Sequence, residues 1–184
     1  MNDKLDIEVL CQDYYLDIYH FSLYFSNNKQ DAEDITQETF LKAINSLSLL
    51  RDSNKAKYWL LSIARHTAID NMRKKKFKTV LPDLIEKMSA NKELENTTMD
   101  QLLVKEKWEE IQRALLKIKP HYRSLLILRG IQELSVKETA VVLKCTELKV
   151  RVDFHRAIKV LKKELSRLEG VEQGEKSRKS FSRS

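Results

Sequence analysis

The residues of this chain best suited to chemistry are its clustered cations, and what they suit is holding phosphate. Lys149, Arg151, Arg156 and Lys159 recur at helical spacings, with Val152, Asp153 and His155, outside an apolar stripe that includes Val150. Lys137 lies on the preceding short helix. Lysine and arginine so placed meet phosphates or base edges, and arginine to guanine is the commonest base-specific pairing. A second group, Arg65 and Arg73-Lys74-Lys75-Lys76, follows Lys57, Tyr58 and Trp59. Cations there hold a backbone while aromatic faces stack on bases of a separated strand. Trp59 is equally compatible with a core position. Either basic group alone is also what an ordinary solvated helix shows; the pair is harder to explain that way.

No grouping for covalent chemistry accompanies them. The sequence has no glycine-rich phosphate loop, no HExxH and no GxSxG. His20, His66, His121 and His155 fall in separate helical contexts, and Cys11 and Cys145 have no CxxC partner. Reduced structural thiols are expected. Asp31, Glu33, Asp34 and Glu38 lack calcium-loop spacing, so they read as a solvated face or as a docking face for a basic protein surface. The expectation is no catalytic residue, no metal and no cofactor.

Helices must position these groups. Three glycines and two prolines among 184 residues, with 33% charged and 42% hydrophobic, favour an all-α fold. Apolar spacing predicts a helix over Ile7–Phe25, using Val9 with Leu10, Tyr14, Ile18, Phe21 and Phe25. Asn27 or Asn28 caps a second, whose apolar side is Ala32, Ile35, Phe40, Ala43, Ile44 and Leu47. After a polar loop, Arg51 to Asn54, a third runs over Lys55–Lys76. Residues 79–104, acidic and weakly periodic, read as a flexible linker long enough to hold two modules tens of ångströms apart. In the second module, 105–168, one helix carries Trp108, Ile111, Leu115 and Ile118, and the next, His121–Arg129, ends at Gly130 in a left-handed conformation. Ser135 and Glu138 have capping-box spacing and open a helix with Val136, Ala140, Val141 and Leu143. The turn Cys145-Thr146-Glu147 leads to a last helix with Val150, Phe154, Ala157, Ile158, Leu161 and Leu165 inward. That pair is a helix-turn-helix. Residues 169–184 are expected to be disordered.

Charge follows the same division. Residues 1–50 hold 3 basic and 9 acidic side chains, and residues 51–80 hold 9 and 2. Residues 81–112 hold 4 and 8, and residues 113–165 hold 13 and 5. Two basic blocks alternating with two acidic ones suit two separate nucleic-acid surfaces. The start, MNDKLDIEVL, does not read as a signal peptide, and no apolar run approaches the roughly 20 residues that span a bilayer.

Three stretches together resemble bacterial RNA polymerase sigma factors of the extracytoplasmic-function group. DAEDITQETFLKAINSL, 31–47, resembles the family's core-polymerase-binding helix; KAKYWLLSIARHTAIDNMRKKK, 55–76, its −10 recognition and melting helix; and 116–165 the fourth conserved region, which reads the −35 element. The resemblance implies a non-catalytic factor acting with core RNA polymerase on promoter DNA, with no small-molecule substrate. Asp31, Asp34, Gln37 and Glu38 would dock on the polymerase. Arg51, Asn54, Lys57, Tyr58, Trp59, Arg65, Arg73, Lys74, Lys75 and Lys76 would take the −10 element. Lys137, Lys149, Arg151, Val152, Asp153, His155, Arg156 and Lys159 would take the −35 element. It also implies a cytoplasmic protein held by a membrane-linked anti-sigma factor. Three positions depart from the family: Lys144 stands at a usual turn glycine, Thr146 and Leu148 replace a common proline and glycine, and Asp153 occupies a usually basic site. Asp153 must then accept from a cytosine amine or pair with Lys149 or Arg156. A dimeric duplex-binding regulator and a protein-binding helical scaffold are the competing readings.

Overall fold

The computed structural model of the chain describes residues 7–50, 52–80 and 99–181, without the side chains of 76–80, 99–105, 169 and 171–181. The expectations for Arg51, for the side chain of Lys76 and for the linker residues 81–98 lie outside it.

The fold is all-helical, in two clusters. Helix α1 is Ile7–Ser26, α2 is Lys29–Ser46 and α3 is Ala56–Val80. Asn28 starts α2 by accepting a hydrogen bond from Asp31 N at 2.9 Å, and Asp52 does the same for the turn before α3 through Asn54 N at 3.1 Å. Ile18, Phe21, Phe25, Ile35, Leu60 and Leu61 are fully buried where these helices meet. Ala32, Ala43, Ala64 and Ala68 line the crossings and let the backbones approach. Each large side chain so buried contributes about 1.5–3 kcal/mol.

The second cluster comprises α4, Met99–Lys117; α5, Pro120–Leu126; α6, Val136–Leu143; and α7, Glu147–Phe181. Leu115, Ile118, Leu126 and Ala157 form one part of its core, and Leu125, Ala140 and Val150 another. The capping box opening α6 is present: Ser135 Oγ accepts from Glu138 N at 3.2 Å and Ser135 N donates to Glu138 Oε2 at 2.6 Å.

Several expectations are corrected. Gly130 does not take a left-handed conformation; the chain passes it in a wide π turn, Ile127–Ile131, closed by Gln132 N on Ile127 O at 2.9 Å. The left-handed residue is Glu133, with φ 55°. Val9, Ile44 and Val141 face outward, and Leu10 takes the inward place beside Val9. The tail is helical as far as Phe181; its glutamates, lysines and arginines favour helix even without an apolar face. At the family's glycine position Lys144 caps α6 with φ 51° and ψ 49°, the conformation that glycine adopts without strain.

Although the linker is long enough to hold the two modules apart, they pack together in this structure. Ile127, Leu128, Leu134 and Val142 of the second cluster share one buried core with Phe21, Phe25, Leu60, Leu61 and Ala64 of the first. After each bundle closes on itself, apolar surface remains on both, and joining them removes it from water.

Candidate nucleic-acid interface

The junction between the modules is organised by one buried arginine. The Arg123 side chain donates to Leu115 O (2.9 Å) and Leu116 O (2.7 Å) at the end of α4 and to Ile118 O (3.2 Å) just beyond it. Its Nη1 crosses to the last turn of α1, donating to Phe25 O at 2.9 Å, and the guanidinium lies 5.0 Å from the Phe25 ring centroid. Two helix C-termini, both short of donors and both negative ends of a dipole, are satisfied by one cation. Burial pulls the Arg123 guanidinium below its ordinary pKa. Tyr24 meets Trp108 edge-on at 5.5 Å, and Gln132 Nε2 donates to Asp17 O at 2.7 Å.

The same junction covers some of the residues expected at the −10 element. Tyr58 and Trp59 are half-buried against the shared core, so Trp59 is partly a core residue. Tyr58 OH donates to Glu138 Oε1 at 2.5 Å, which ties α3 to the capping residue of α6. That bond holds the Glu138 carboxyl below its usual range and, with burial, pushes the Tyr58 hydroxyl up to about 12. Arg65 is half-buried near Cys145, its Nε has no hydrogen-bond partner, and burial lowers its pKa. Lys57 pairs with Asp17 at 2.9 Å. Asn54, Arg73, Lys74 and Lys75 are exposed; Arg73 lies 3.7 Å from Asp70 and Lys75 2.5 Å from Asp31.

The acidic face of α2 therefore adjoins the end of α3. Asp34 and Gln37 are exposed, while Asp31 and Glu38 are half-buried, Glu38 2.7 Å from Lys42. Leu41 and Ile44 are 61% and 51% exposed one turn further along the same strip. Sequence reasoning missed Leu41 and placed Ile44 in the core. The signal was the spacing 34, 37, 41, 44, which continues the acidic side of α2.

The start of α7 is different. Lys149, Arg151, Val152, His155, Arg156 and Lys159 are exposed, as is Lys137 on α6. Asp153 is 4% exposed, so it is unavailable to a base or a phosphate. Its carboxylate meets Lys149 Nζ at 2.8 Å, His121 Nε2 at 3.0 Å and Arg156 Nη1 at 3.8 Å. The Lys149 bond, ahead of the His121 bond, holds the Asp153 carboxyl below the usual range against its burial. Asp153 thus fastens α7 to α5 and aims two cations, which resolves the departure from the family in favour of pairing. Arg151 lies 3.8 Å from Glu147. Among the described residues no group of His, Cys, Asp and Glu could hold a metal ion.

A family model described as Sigma-70 region 2 matches residues 10–78, and one described as Sigma-70, region 4 matches residues 108–161. The chain is 35% identical over 171 residues to the RNA polymerase sigma factor YlaC of Bacillus subtilis (strain 168), covering 91% of this chain and 96% of that protein. It is 34% identical over 163 residues to the ECF RNA polymerase sigma factor SigX of the same organism, covering 88% and 84%. Two solved structures share the fold. The sigma factor RpoE in complex with the anti-sigma factor NepR, from Bartonella quintana, has a TM-score of 0.64 at 20% identity and covers 86% of this chain and 96% of its own. CnrH in complex with the cytosolic domain of CnrY has 0.60 at 18%, covering 87% of each.

Proposed function

Because this chain belongs to the extracytoplasmic-function group of sigma-70 RNA polymerase sigma factors, we propose a division of labour between its modules. As a member of that family it is a non-catalytic factor that binds core RNA polymerase and confers promoter recognition. In the proposed division α7 reads −35 duplex through Lys149, Arg151, Val152, His155, Arg156 and Lys159, with Lys137 on the backbone. The start of α3, with Asn54, Lys57, Tyr58, Trp59 and Arg65, captures −10 bases leaving the stack, and Arg73 to Lys76 hold the adjacent strand. The strip Asp31, Asp34, Gln37 and Glu38 docks on a basic polymerase surface. The observation behind this reading is the capped helix-turn-helix whose second helix turns its cations to solvent. The α3 site is covered by α6, so it serves only after the modules part.

An anti-sigma partner belongs to the same reading, on the likeness to two sigma factors solved with theirs. No described helix is long and apolar enough to cross a membrane, so a hold at the membrane would come through that partner and keep the factor on the cytoplasmic side.

The test is transcription by core RNA polymerase on genomic promoter fragments with the full chain added. Initiation from a defined promoter set is expected. Duplex binding undiminished without polymerase, together with no transcript, would instead mark a conventional regulator. Asp34→Lys with Glu38→Lys is expected to lower core binding at least tenfold and leave the duplex affinity of the second module intact. Arg151→Ala is expected to do the reverse, costing about 1–3 kcal/mol in duplex binding.

A further inference from the structure

The first turns of α7 sort their side chains by whether the protein has already engaged them. Lys149 and Arg156 are held by Asp153, and Arg151 lies near Glu147. These cations are oriented by carboxylates of their own chain and lie in a ring about the helix start. Two large apolar side chains stand among them. Leu148 is 71% exposed and Val152 41%, and neither packs against a buried cluster. They are four residues apart and so lie on one face, roughly opposite Val150, which is 1% exposed.

Leu148, aimed at solvent beside Val152, does nothing for the core. An apolar pair framed by Lys149, Arg151 and Arg156 has a charge frame complementary to phosphate and an apolar centre. In the major groove the one apolar group that distinguishes a base pair is the 5-methyl of thymine. We infer that Leu148 and Val152 read thymine methyl groups in the −35 duplex, while the surrounding cations hold the backbone. This rests on the −35 role of α7 proposed above and adds what that helix selects. The inference also gives Asp153 a part in recognition, as a positioning residue that keeps Lys149 and Arg156 beside the pair rather than across it.

The experiment uses the full chain assembled with core RNA polymerase. Duplexes are first selected by this holoenzyme from a library randomised across the upstream recognition segment. Each thymine of a selected duplex is then replaced singly by deoxyuridine, which removes the methyl and leaves the pairing edge unchanged. The wild-type holoenzyme is expected to lose about fourfold in affinity at one or two thymines, the size of burying one methyl group. With Leu148→Ala and Val152→Ala combined, the same replacements should have no effect, whereas Leu148→Met should retain them. Both alanines are exposed and favour helix, so the thermal midpoint should not fall.

Enrichment of duplexes that lack thymine, or equal sensitivity to deoxyuridine in wild type and double variant, overturns the inference and leaves −35 reading intact. Absence of any enriched duplex overturns the −35 role itself, and this inference with it. Weakened assembly with core polymerase in the double variant, without altered duplex preference, would make the pair a protein-docking patch and likewise overturn it.

Discussion

Helices α3 and α7 both present cations and apolar side chains for nucleic acid, yet they meet solvent in opposite ways. On α3, Tyr58, Trp59 and Arg65 are half-buried beneath the second module, and Tyr58 is bonded to Glu138. On α7, Leu148, Arg151, Val152 and His155 stand exposed, with nearby cations tied to carboxylates of the same helix. The contrast fits the two proposed tasks. Reading an intact duplex needs a protruding, well-hydrated helix that slots into a groove as it stands. Holding separated bases needs aromatic surface, which left bare would seek another apolar partner. Here that partner is α6 of the same chain, so the site proposed for melted strand is covered while the site proposed for duplex is exposed.

The largest way to break this contrast is to remove the group that joins the modules. Arg123→Ala removes the guanidinium donors from four carbonyls, of which Leu115 O keeps a bond from Ile118 N, and strips a cation from the Phe25 ring. Unfolding free energy should fall by about 3–5 kcal/mol in a denaturant titration. An unchanged midpoint would mean that the junction does not depend on Arg123. A finer cut is Tyr58→Phe, which keeps the ring for stacking and deletes only its hydrogen bond to Glu138. That bond has an ionised acceptor, so its removal should weaken the closed arrangement by about 1.5–3 kcal/mol. Small-angle scattering should then show a larger radius of gyration, and capture of −10 single strand by the holoenzyme should rise. A fall in capture would show that the hydroxyl is used on DNA rather than on Glu138.

The same bond gives the closed form a pH window. Glu138 has a lowered folded pKa, so its contribution is present above the ordinary carboxylate value and is lost as pH falls through the lowered one. Tyr58 is raised from 10 to about 12, so its contribution is complete below 10 and is lost as pH climbs through about 12. Tyrosinate absorbance should therefore contain one late-titrating component in wild type that Tyr58→Phe lacks.

Much of this was legible in the residues. Periodicity placed the described α-helices other than α4 to within a turn at their start, whereas α4 opens at Met99, inside the residues read as linker; Ser135 with Glu138 announced the cap of α6. The junction was not legible, because the contacts that form it are separated by many residues: Tyr58 with Glu138, Asp17 with Gln132, Phe25 with Arg123. No local spacing encodes such pairs. Arg123 read as one more cation in a basic block, and only the meeting of two helix ends reveals why it is buried. For Asp153 the residues offered pairing with Lys149 or Arg156 as an alternative to a cytosine amine, but not its burial, since His121, which helps to hold it, lies on another helix. Ile44 failed for a different reason: an apolar residue on an amphipathic helix counts as core by pattern even where the family of faces around it is open.

The smallest expected effect lies at the turn that seats α7. Lys144 holds φ 51° and ψ 49°, and a side chain in that region costs about 1–2 kcal/mol that glycine avoids. Lys144→Gly removes this strain, while the added freedom of the unfolded chain offsets part of the gain. Net stabilisation of about 0.5–1 kcal/mol is expected, read as a higher thermal midpoint. Because Lys144 is exposed and far in sequence from α3, the Tyr58–Glu138 closure should be unchanged, and only hydrogen exchange at the α6–α7 turn should slow. If Lys144→Gly instead weakens duplex binding without touching stability, the lysine is retained for its charge beside the groove. The strain at the turn would then be a cost of recognition, and α7 would use the backbone of its own turn as α3 uses its neighbour, to hold a side chain where nucleic acid needs it.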